Sequence, residues 1–344
     1  MTERDLLTLD ELRLALQHIP ADDRETWVSI GNACKTEYGD EGFAIWDEWS
    51  QGGQNYKAAD AKSVWRSLTP GHVRLGTIIK LATDGGWRRE RREMSAEDRR
   101  RMKAEAEERR RKAAEQVEAD QAKLERMQLA VASACQRVLE QHLAPQGRSP
   151  YLERKGVAGH GVLFPRRAVL ISIDSQRERA DVWAGLEVRD WFRDLPKPRP
   201  DHLHMFQIRQ GDVVVPLRDA SGTLWALQTI NAKGTKLFPR FGRKAGNWHW
   251  IGWQQSPEYI AITEGYATGA SVHEAMGWPV VVALDVGNMA RVLPALREAF
   301  PAAHLVLCGD DDPDTTGNPG RQKAEALARE HGCVAVFPEL GEVA

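Results

Sequence analysis

The chain of 344 residues has few cysteines, no long apolar segment and almost no net charge. Its four cysteines are far apart and form no Cys-x-x-Cys pair, which argues against a disulfide framework and a structural zinc site. No apolar run approaches the length of a membrane span, and the N-terminus is acidic and amphipathic rather than signal-like. The net charge of −2 provides no overall basic field. We therefore predict a cytoplasmic protein with reduced thiols, no zinc and no membrane partner.

Residues 1–87 have the pattern of a small helical domain. Short segments with apolar residues at helical spacing are separated by Gly, Pro or polar residues. Thr8 or Asp10 is available to cap the first helix. Five of the twelve tryptophans fall in this region, and we expect them to form its core because small helical domains need large apolar side chains.

Residues 88–145 differ sharply in composition, and we interpret them as a charged helical linker. Residues 88–126 contain no Gly or Pro, and opposite charges alternate along them. Ion pairs four residues apart on such a helix contribute only a few tenths of a kcal/mol each. The basic clusters at 99–101 and 109–112 could contact a polyanion, but the interleaved acids favour a solvated spacer.

The rest of the chain changes from β character to alternating strands and helices. Residues 146–255 contain strand-like runs broken by turn signals. Residues 256–344 contain YIAIT, VVVAL, HLVLC and VAVFP, with a helical segment between each pair. This order is typical of a parallel sheet with crossover helices. We predict an α+β multidomain chain: a small helical domain, a long charged helix, a mixed α+β region and an α/β domain with a Rossmann-like parallel sheet.

Acidic residues follow two of the predicted parallel strands. Glu264 follows YIAIT, and Asp310 and Asp312 follow HLVLC. In an open α/β sheet, functional groups collect at the carboxyl ends of the strands. Either element alone is explained more simply as a helix cap or turn, but both together favour a site. Clustered carboxylates repel unless a cation neutralises them, and they suit Mg²⁺ or Mn²⁺, as in phosphoryl transfer.

The C-terminal segment resembles a Toprim domain, the metal-dependent fold of bacterial-type primases, topoisomerases and some nucleases. In that family one strand ends in Glu-Gly and a later strand in Asp-x-Asp, as at Glu264 and at Asp310 and Asp312 here. The resemblance implies that Glu264 is a general acid/base or metal ligand and that the two aspartates hold the metal. Many primases have another acid four residues after the glutamate, where this chain has Thr268. A second metal would then depend on Asp314 or on a water-mediated contact.

The region before this domain resembles the first half of the catalytic core in primases of phages and mobile elements. The likeness rests on SPYLERKGV at 149–157 and on residues 212–252, where basic side chains alternate with Phe238, Phe241 and Trp248. Basic residues neutralise phosphates and aromatic rings stack on bases, so we expect a path for single-stranded template. The alternative is an exposed hairpin with core aromatics. The predicted nucleic-acid or nucleotide contacts are Lys236, Arg240, Arg243, Lys244 and, from the resemblance, Asn288.

Residues 1–87 resemble the helical primase-associated (PriCT-like) domain, which often follows a catalytic core but here precedes it. Under this resemblance, base stacking by Trp46 or Trp49 is the alternative to a purely structural role. We thus expect a DNA primase of a mobile element that uses single-stranded DNA and ribonucleoside triphosphates with Mg²⁺ or Mn²⁺. Unwinding would come from a separate helicase, or the chain would be a fragment of a longer primase-helicase.

Two other functions remain open from the sequence. A Toprim nuclease would share the metal and activate water, and a non-catalytic single-strand-binding accessory protein would retain the acids without activity. A topoisomerase is disfavoured, because it needs a nucleophilic tyrosine in a separate DNA-gate domain and none of the five tyrosines lies in such a region.

Overall fold

The computed structural model describes residues 7–68, 73–89, 95–309 and 319–337. Asp310, Asp312 and Asp314 lie outside these ranges. The chain divides into two compact units, Met1–Ala122 and Lys123–Ala344. Within the described ranges, no helix has both the length and the apolar character that crossing a bilayer requires.

The helices of the first unit lie in the segments that have apolar residues at helical spacing, and the first begins at its predicted cap. They are α1 (Leu9–Leu16), α2 (Arg24–Tyr38), α3 (Glu41–Ser50), α4 (Ala58–Ser67), α5 (Leu75–Asp84) and the first part of α6 (Ala96–His142). The backbone N–H of Glu11 donates to the Thr8 hydroxyl at 3.1 Å, and that of Thr8 donates to the Glu11 carboxylate at 2.8 Å. This reciprocal capping box fixes the start of α1. The predicted helical domain is confirmed.

The tryptophans of the first unit form its core. Trp46 is fully buried, and its ring centroid lies 4.6 Å from that of Trp27 and 5.4 Å from that of Trp65. Its indole N–H donates to the carbonyl of Trp27 at 3.0 Å. Trp49 is half-buried and donates to the carbonyl of Ile19 at 2.8 Å. The core role is confirmed for Trp46, which has no exposed surface on which a base could stack.

The charged segment forms one long helix, α6, and it is not solvated throughout. Predicted ion pairs are present, such as Arg111 with Glu115 at 2.7 Å. The Nε of Arg110, however, donates to Glu37 of α2 at 2.8 Å, and the Glu37 side chain is only 3% exposed. The neighbouring Arg109 lies over the ring of Tyr38, 5.7 Å from its centroid. The solvated-spacer prediction is therefore wrong for this turn, because its arginines meet a buried carboxylate and a ring of the helical domain.

The second unit is built from small antiparallel sheets and one larger, mainly parallel sheet. Its strands are β1 (Leu143–Ala144), β2 (Phe164–Pro165), β3 (Val169–Asp174), β4 (Arg179–Ala184), β5 (Leu203–Ile208), β6 (Val213–Arg218), β7 (Leu224–Ile230), β8 (Lys236–Leu237), β9 (His249–Ile251), β10 (Tyr259–Thr263), β11 (Val280–Val282), β12 (His304–Cys308) and β13 (Val334–Val336). Its further helices are α7 (Pro150–Lys155), α8 (Leu186–Asp194), α9 (Tyr266–Met276), α10 (Val286–Ala299) and α11 (Pro319–His331). The small sheets are β1-β2, β4-β3-β5 and β6-β7-β8, all antiparallel.

The larger sheet has the order β13-β12-β10-β11-β9. The strands β10 to β13 are parallel, and β9 joins the edge antiparallel to β11. Ile260 and Ile262 of β10 pack in one core with α10, whereas Ala261 packs in another with α9. Helices thus cover both faces, as period-two alternation in a buried parallel strand requires. The predicted parallel sheet is confirmed. It also contains β9, which comes from the preceding region, residues 146–255.

His249 of β9 is a buried histidine between two backbone carbonyls. Its Nε2 lies 2.9 Å from the carbonyl oxygen of His160, and its Nδ1 lies 3.3 Å from that of Pro216. Burial lowers the pKa of His249 to about 4, although the two carbonyls act in the opposite direction. The imidazole is therefore neutral in the folded protein at neutral pH.

Because His249 is buried in its neutral form, we predict that mild acid lowers the free energy of unfolding. Between about pH 6.5 and 4 the unfolded chain takes up a proton at His249 that the folded chain does not, so unfolding becomes easier as the pH falls. The contribution is about 1.4 kcal/mol in the free energy of unfolding for each pH unit within that window. Urea denaturation across the window should show a shallower pH dependence for His249→Gln than for the wild type. Equal slopes would contradict the prediction.

Candidate functional site

Glu264 lies half-buried at the carboxyl edge of the parallel sheet, directly after β10. Thr263, the last residue of β10, pairs with Cys308 of β12 and with Val282 of β11. The segments that follow these strands therefore start level with one another at a single edge. Gly309, the residue directly after β12, is therefore level with Glu264, the residue directly after β10.

The acidic triplet follows Gly309 but lies outside the described residues. The metal-ligand roles predicted for Glu264, Asp310, Asp312 and Asp314 stay predictions. Across the described ranges, no group of three or more His, Cys, Asp or Glu side chains could hold a metal. What the described residues provide is the register: Gly309, the residue before Asp310 in sequence, follows β12 at the level where Glu264 follows β10.

One glycine, Gly269, allows α9 to pack closely on the sheet directly after Glu264. A Cβ on Gly269 would lie 2.8 Å from the hydroxyl oxygen of Thr263, which real contacts do not show. A Cβ on Gly265 would lie 3.4 Å from the Nζ of Lys236 and 3.6 Å from the hydroxyl of Thr268. Gly269 thus lets the first turns of α9 pack against β10, and the helix N-terminus that follows Glu264 favours negative charge at the site.

Lys236 is brought to this edge by the basic hairpin, which we define as residues 231–247. It is exposed on the short strand β8, opposite Ile230 of β7, and its ammonium group lies against Gly265. A predicted phosphate-binding cation is therefore adjacent to Glu264 in the folded chain. A cation and a carboxylate at the same strand end suit a substrate with phosphate groups near a metal.

The other predicted cations of the basic hairpin lie over aromatic rings. The cation-to-centroid distances are 4.4 Å for Arg243 over Trp225, 5.6 Å for Lys244 over Phe238 and 5.3 Å for Arg240 over Phe241. Trp248 is only 4% exposed and belongs to the core beside β10. The expectation that Trp248 lines a template path is therefore wrong, because its ring is needed to fill that core.

Asp285 is a residue of the site that the sequence reasoning missed. It follows β11 at the same sheet edge as Glu264, caps α10 by accepting from the N–H of Asn288 at 2.7 Å, and is paired with Lys244. Burial acts to raise the pKa of Asp285, but the hydrogen bonds from Lys244 and Asn288 outweigh it and hold this pKa below its usual value. The signal was available in VVVALD, a third parallel strand followed by an acid.

Asn288 ties the basic hairpin to this edge. Its side chain is 4% exposed; its amide donates to the carbonyls of Asn247 and Ala283, each at 2.8 Å, and its oxygen accepts from the N–H of Gly246 at 2.8 Å. The predicted contact of Asn288 with nucleic acid or nucleotide stays a prediction. The geometry favours a positioning role, in which Asn288 holds the loop that contains Arg243 and Lys244.

Removing this anchor should destabilise the fold and loosen the loop. Asn288→Ala removes the partner of the half-buried N–H of Gly246 and of the buried carbonyl of Asn247, which costs about 1–3 kcal/mol in the free energy of unfolding. Urea denaturation measures this loss. Arg291→Ala, at an exposed position on the same helix, is the matched control and should stay within about 0.5 kcal/mol of the wild type. A loss for Asn288→Ala no larger than the control's would contradict the anchoring role.

Two segments of the chain match protein-family models. Residues 12–82 match Primase C terminal 2 (PriCT-2), and residues 259–341 match the Toprim domain. These matches confirm both resemblances stated from the sequence: a PriCT-like helical domain near the N-terminus and a Toprim domain near the C-terminus.

Similar proteins are found among curated sequences and solved structures. Two proteins named DNA primase TraC, both from Escherichia coli, are 40% and 42% identical over 131 residues, or 36% of this chain. The chain covers only 9% and 12% of their lengths. The structure of the DnaG catalytic core aligns with a TM-score of 0.37 and 16% identity over 64% of this chain and 73% of that one. The DnaG primase catalytic domain bound to ssDNA gives 0.40 and 14% over 63% and 73%.

Proposed function

We propose that this protein is a DNA primase, a DNA-directed RNA polymerase that makes short primers in the replication of a phage or mobile element. The observation that carries the proposal is the register of β10 with β12, which starts both acidic segments at one sheet edge. The ammonium group of Lys236 against Gly265 at that edge gives it a partner for phosphate. The Toprim and PriCT-2 matches and the name shared by the two curated relatives support the same activity.

Glu264 and the aspartates that follow β12 in sequence suit Mg²⁺ or Mn²⁺. Glu264, Asp310 and Asp312 would hold the metal, with Asp314 as a further ligand, because carboxylate oxygens are the donors that these hard cations prefer. When bound, a divalent cation neutralises triphosphate charge and lowers the pKa of an attacking hydroxyl. In the alternative role, Glu264 would be the general base that accepts the proton of that hydroxyl.

The chain's other residues would bind and orient the substrates. The 3′-hydroxyl of the growing primer attacks the α-phosphate of the incoming ribonucleotide, and pyrophosphate leaves. Lys236, Arg240, Arg243 and Lys244 hold template or nucleotide phosphates. Asp285 and Asn288 act indirectly, since they fix Lys244 and its loop against the sheet.

The partners follow from this reaction. They are single-stranded DNA, ribonucleoside triphosphates and, for unwinding, a separate replicative helicase. All of these are found in the cytoplasm, where we expect the protein to act.

Primer synthesis on a single-stranded template tests the proposal. The chain is incubated with template, labelled ribonucleotides and Mg²⁺ or Mn²⁺, and the products are separated by size. Template-dependent oligoribonucleotides are the expected result. Degradation of the template without synthesis would indicate a Toprim nuclease instead, and template binding without any product would indicate an accessory protein.

A further inference from the structure

A second basic cluster lies on β5, outside the site described above. Arg199 and His202 precede this strand and His204 lies on it, and Arg199 is exposed. His204 shares a strand face with Phe206 and Ile208, which are buried in the core of the β4-β3-β5 sheet. The half-buried imidazole of His204 therefore lies next to this apolar row, near the start of β5.

Phe241 of the basic hairpin joins this cluster to the candidate site. Its ring centroid lies 5.6 Å from that of His204 in an edge-on arrangement, and the Arg240 guanidinium carbon lies 5.3 Å from the same centroid. Phe241 also has a φ of +62°, a left-handed conformation that costs free energy for a bulky side chain. The backbone is thus held in a strained form that keeps an aromatic ring between an imidazole and a guanidinium.

The charged groups that act on the pKa of His204 are all basic, although the exposed Asp201 lies between Arg199 and His202 in sequence. Burial lowers the pKa of His204, and the positive charges of Arg240, Arg199 and His202 lower it further. Among the described residues, neither Arg199 nor Arg240 forms an ion pair. Arg193, at the end of α8, is by contrast paired with Asp190 and Asp194. Exposed arginines that have no ion-pair partner among the described residues attract an anion.

Asp174 acts on this cluster without neutralising it. Its carboxylate interacts electrostatically with His202. The same carboxylate, however, is already engaged by the backbone N–H groups of Gln176 and Arg177, at 3.0 and 2.9 Å. The cationic face of the cluster is therefore available to an anion from solvent.

We propose that Arg199, His204, Arg240 and Phe241 form a contact site for the phosphodiester backbone and a base of single-stranded nucleic acid, continuing the surface of the basic hairpin onto β5. Exposed cations beside an aromatic ring are the usual means of binding single strands without sequence preference. Arg240 belongs to both surfaces and connects them. The inference rests on the proposed function only for the identity of the strand.

Oligonucleotide binding at several salt concentrations tests this site. Fluorescence anisotropy with a labelled oligothymidylate compares the wild type with Arg199→Gln and with the double variant Arg199→Gln/Arg240→Gln. The slope of log affinity against log salt should become shallower by about 0.7 for each phosphate that the variant no longer neutralises. Arg189→Gln, an exposed arginine on α8, makes the same charge change outside the cluster and should leave the slope unchanged.

Two results would overturn the site. One is a slope and affinity for Arg199→Gln equal to those of the Arg189→Gln control. The other is competition by a ribonucleoside triphosphate that disappears in Arg199→Gln, which would assign the cluster to free nucleotide. Failure of this site is distinguishable from failure of the proposed function. If Arg199→Gln weakens oligonucleotide binding but the wild type makes no primer, only the proposed function is rejected. If the wild type makes primer but Arg199→Gln binds normally, only this site is rejected.

Discussion

Replacing Glu264 with glutamine is expected to lower the rate of ribonucleotide incorporation by about 10²–10⁴-fold, the range for loss of a general acid or base. The substitution keeps the size and shape of the side chain and removes its charge and its basicity. Glu264 is half-buried at the edge where β10 and β12 end together, so the fold should tolerate the amide. Incorporation of labelled ribonucleotides at saturating template measures the effect.

The chain provides a matched control for this variant. Glu258 is exposed and lies just before β10, at the opposite end of the strand from Glu264. Glu258→Gln makes the same chemical change away from the proposed site and should leave the rate unchanged. Binding of the oligothymidylate should be similar in both variants, because the basic hairpin is intact. An unchanged rate in Glu264→Gln would exclude Glu264 from the chemistry.

The second large effect concerns the pair between Arg110 of α6 and Glu37 of α2. Glu37 is 3% exposed, and one of its carboxylate oxygens has no partner among the described residues. Arg110→Ala would leave this carboxylate buried with its main countercharge removed. Breaking a buried pair in this way costs about 3–5 kcal/mol. Hydrogen exchange of the α2 amides, which reports the free energy of local opening, should accelerate accordingly.

Arg111 provides the control for this second prediction. It neighbours Arg110 but is exposed and pairs with Glu108 and Glu115 on the helix surface. Such surface pairs contribute no more than about 1 kcal/mol, so Arg111→Ala should leave α2 exchange nearly unchanged. If the two variants changed exchange equally, the Glu37 pair would have no special role in holding α6 to the helical domain.

The local features of the fold were predictable because their causes are local. Thr8 and Glu11 form the capping box that their spacing indicates. The alternation of apolar strands and helices after residue 256 predicted parallel strands, and the parallel pairing of β10 with β12 confirms this. Glu264 could therefore be assigned to a sheet edge from sequence alone.

Contacts between distant segments could not be predicted in the same way. The pairing of Lys244 with Asp285 joins residues in different elements, and a lysine on a hairpin has many potential partners in sequence. Trp248 reads equally well as a stacking residue or a core residue, and only its packing beside β10 decides between them. The contact of Arg110 with Glu37 is likewise set by the path of α6, which composition does not determine.

The central claim is that the acids after β10 and β12 form one metal site. Mn²⁺ titration of the wild type, Glu264→Gln and Asp310→Asn, followed by electron paramagnetic resonance, tests it without depending on catalysis. We predict that the wild type binds Mn²⁺ and that both substitutions, at residues far apart in sequence, weaken binding to a similar extent. Undiminished Mn²⁺ binding in Glu264→Gln, or none in the wild type, would contradict the claim.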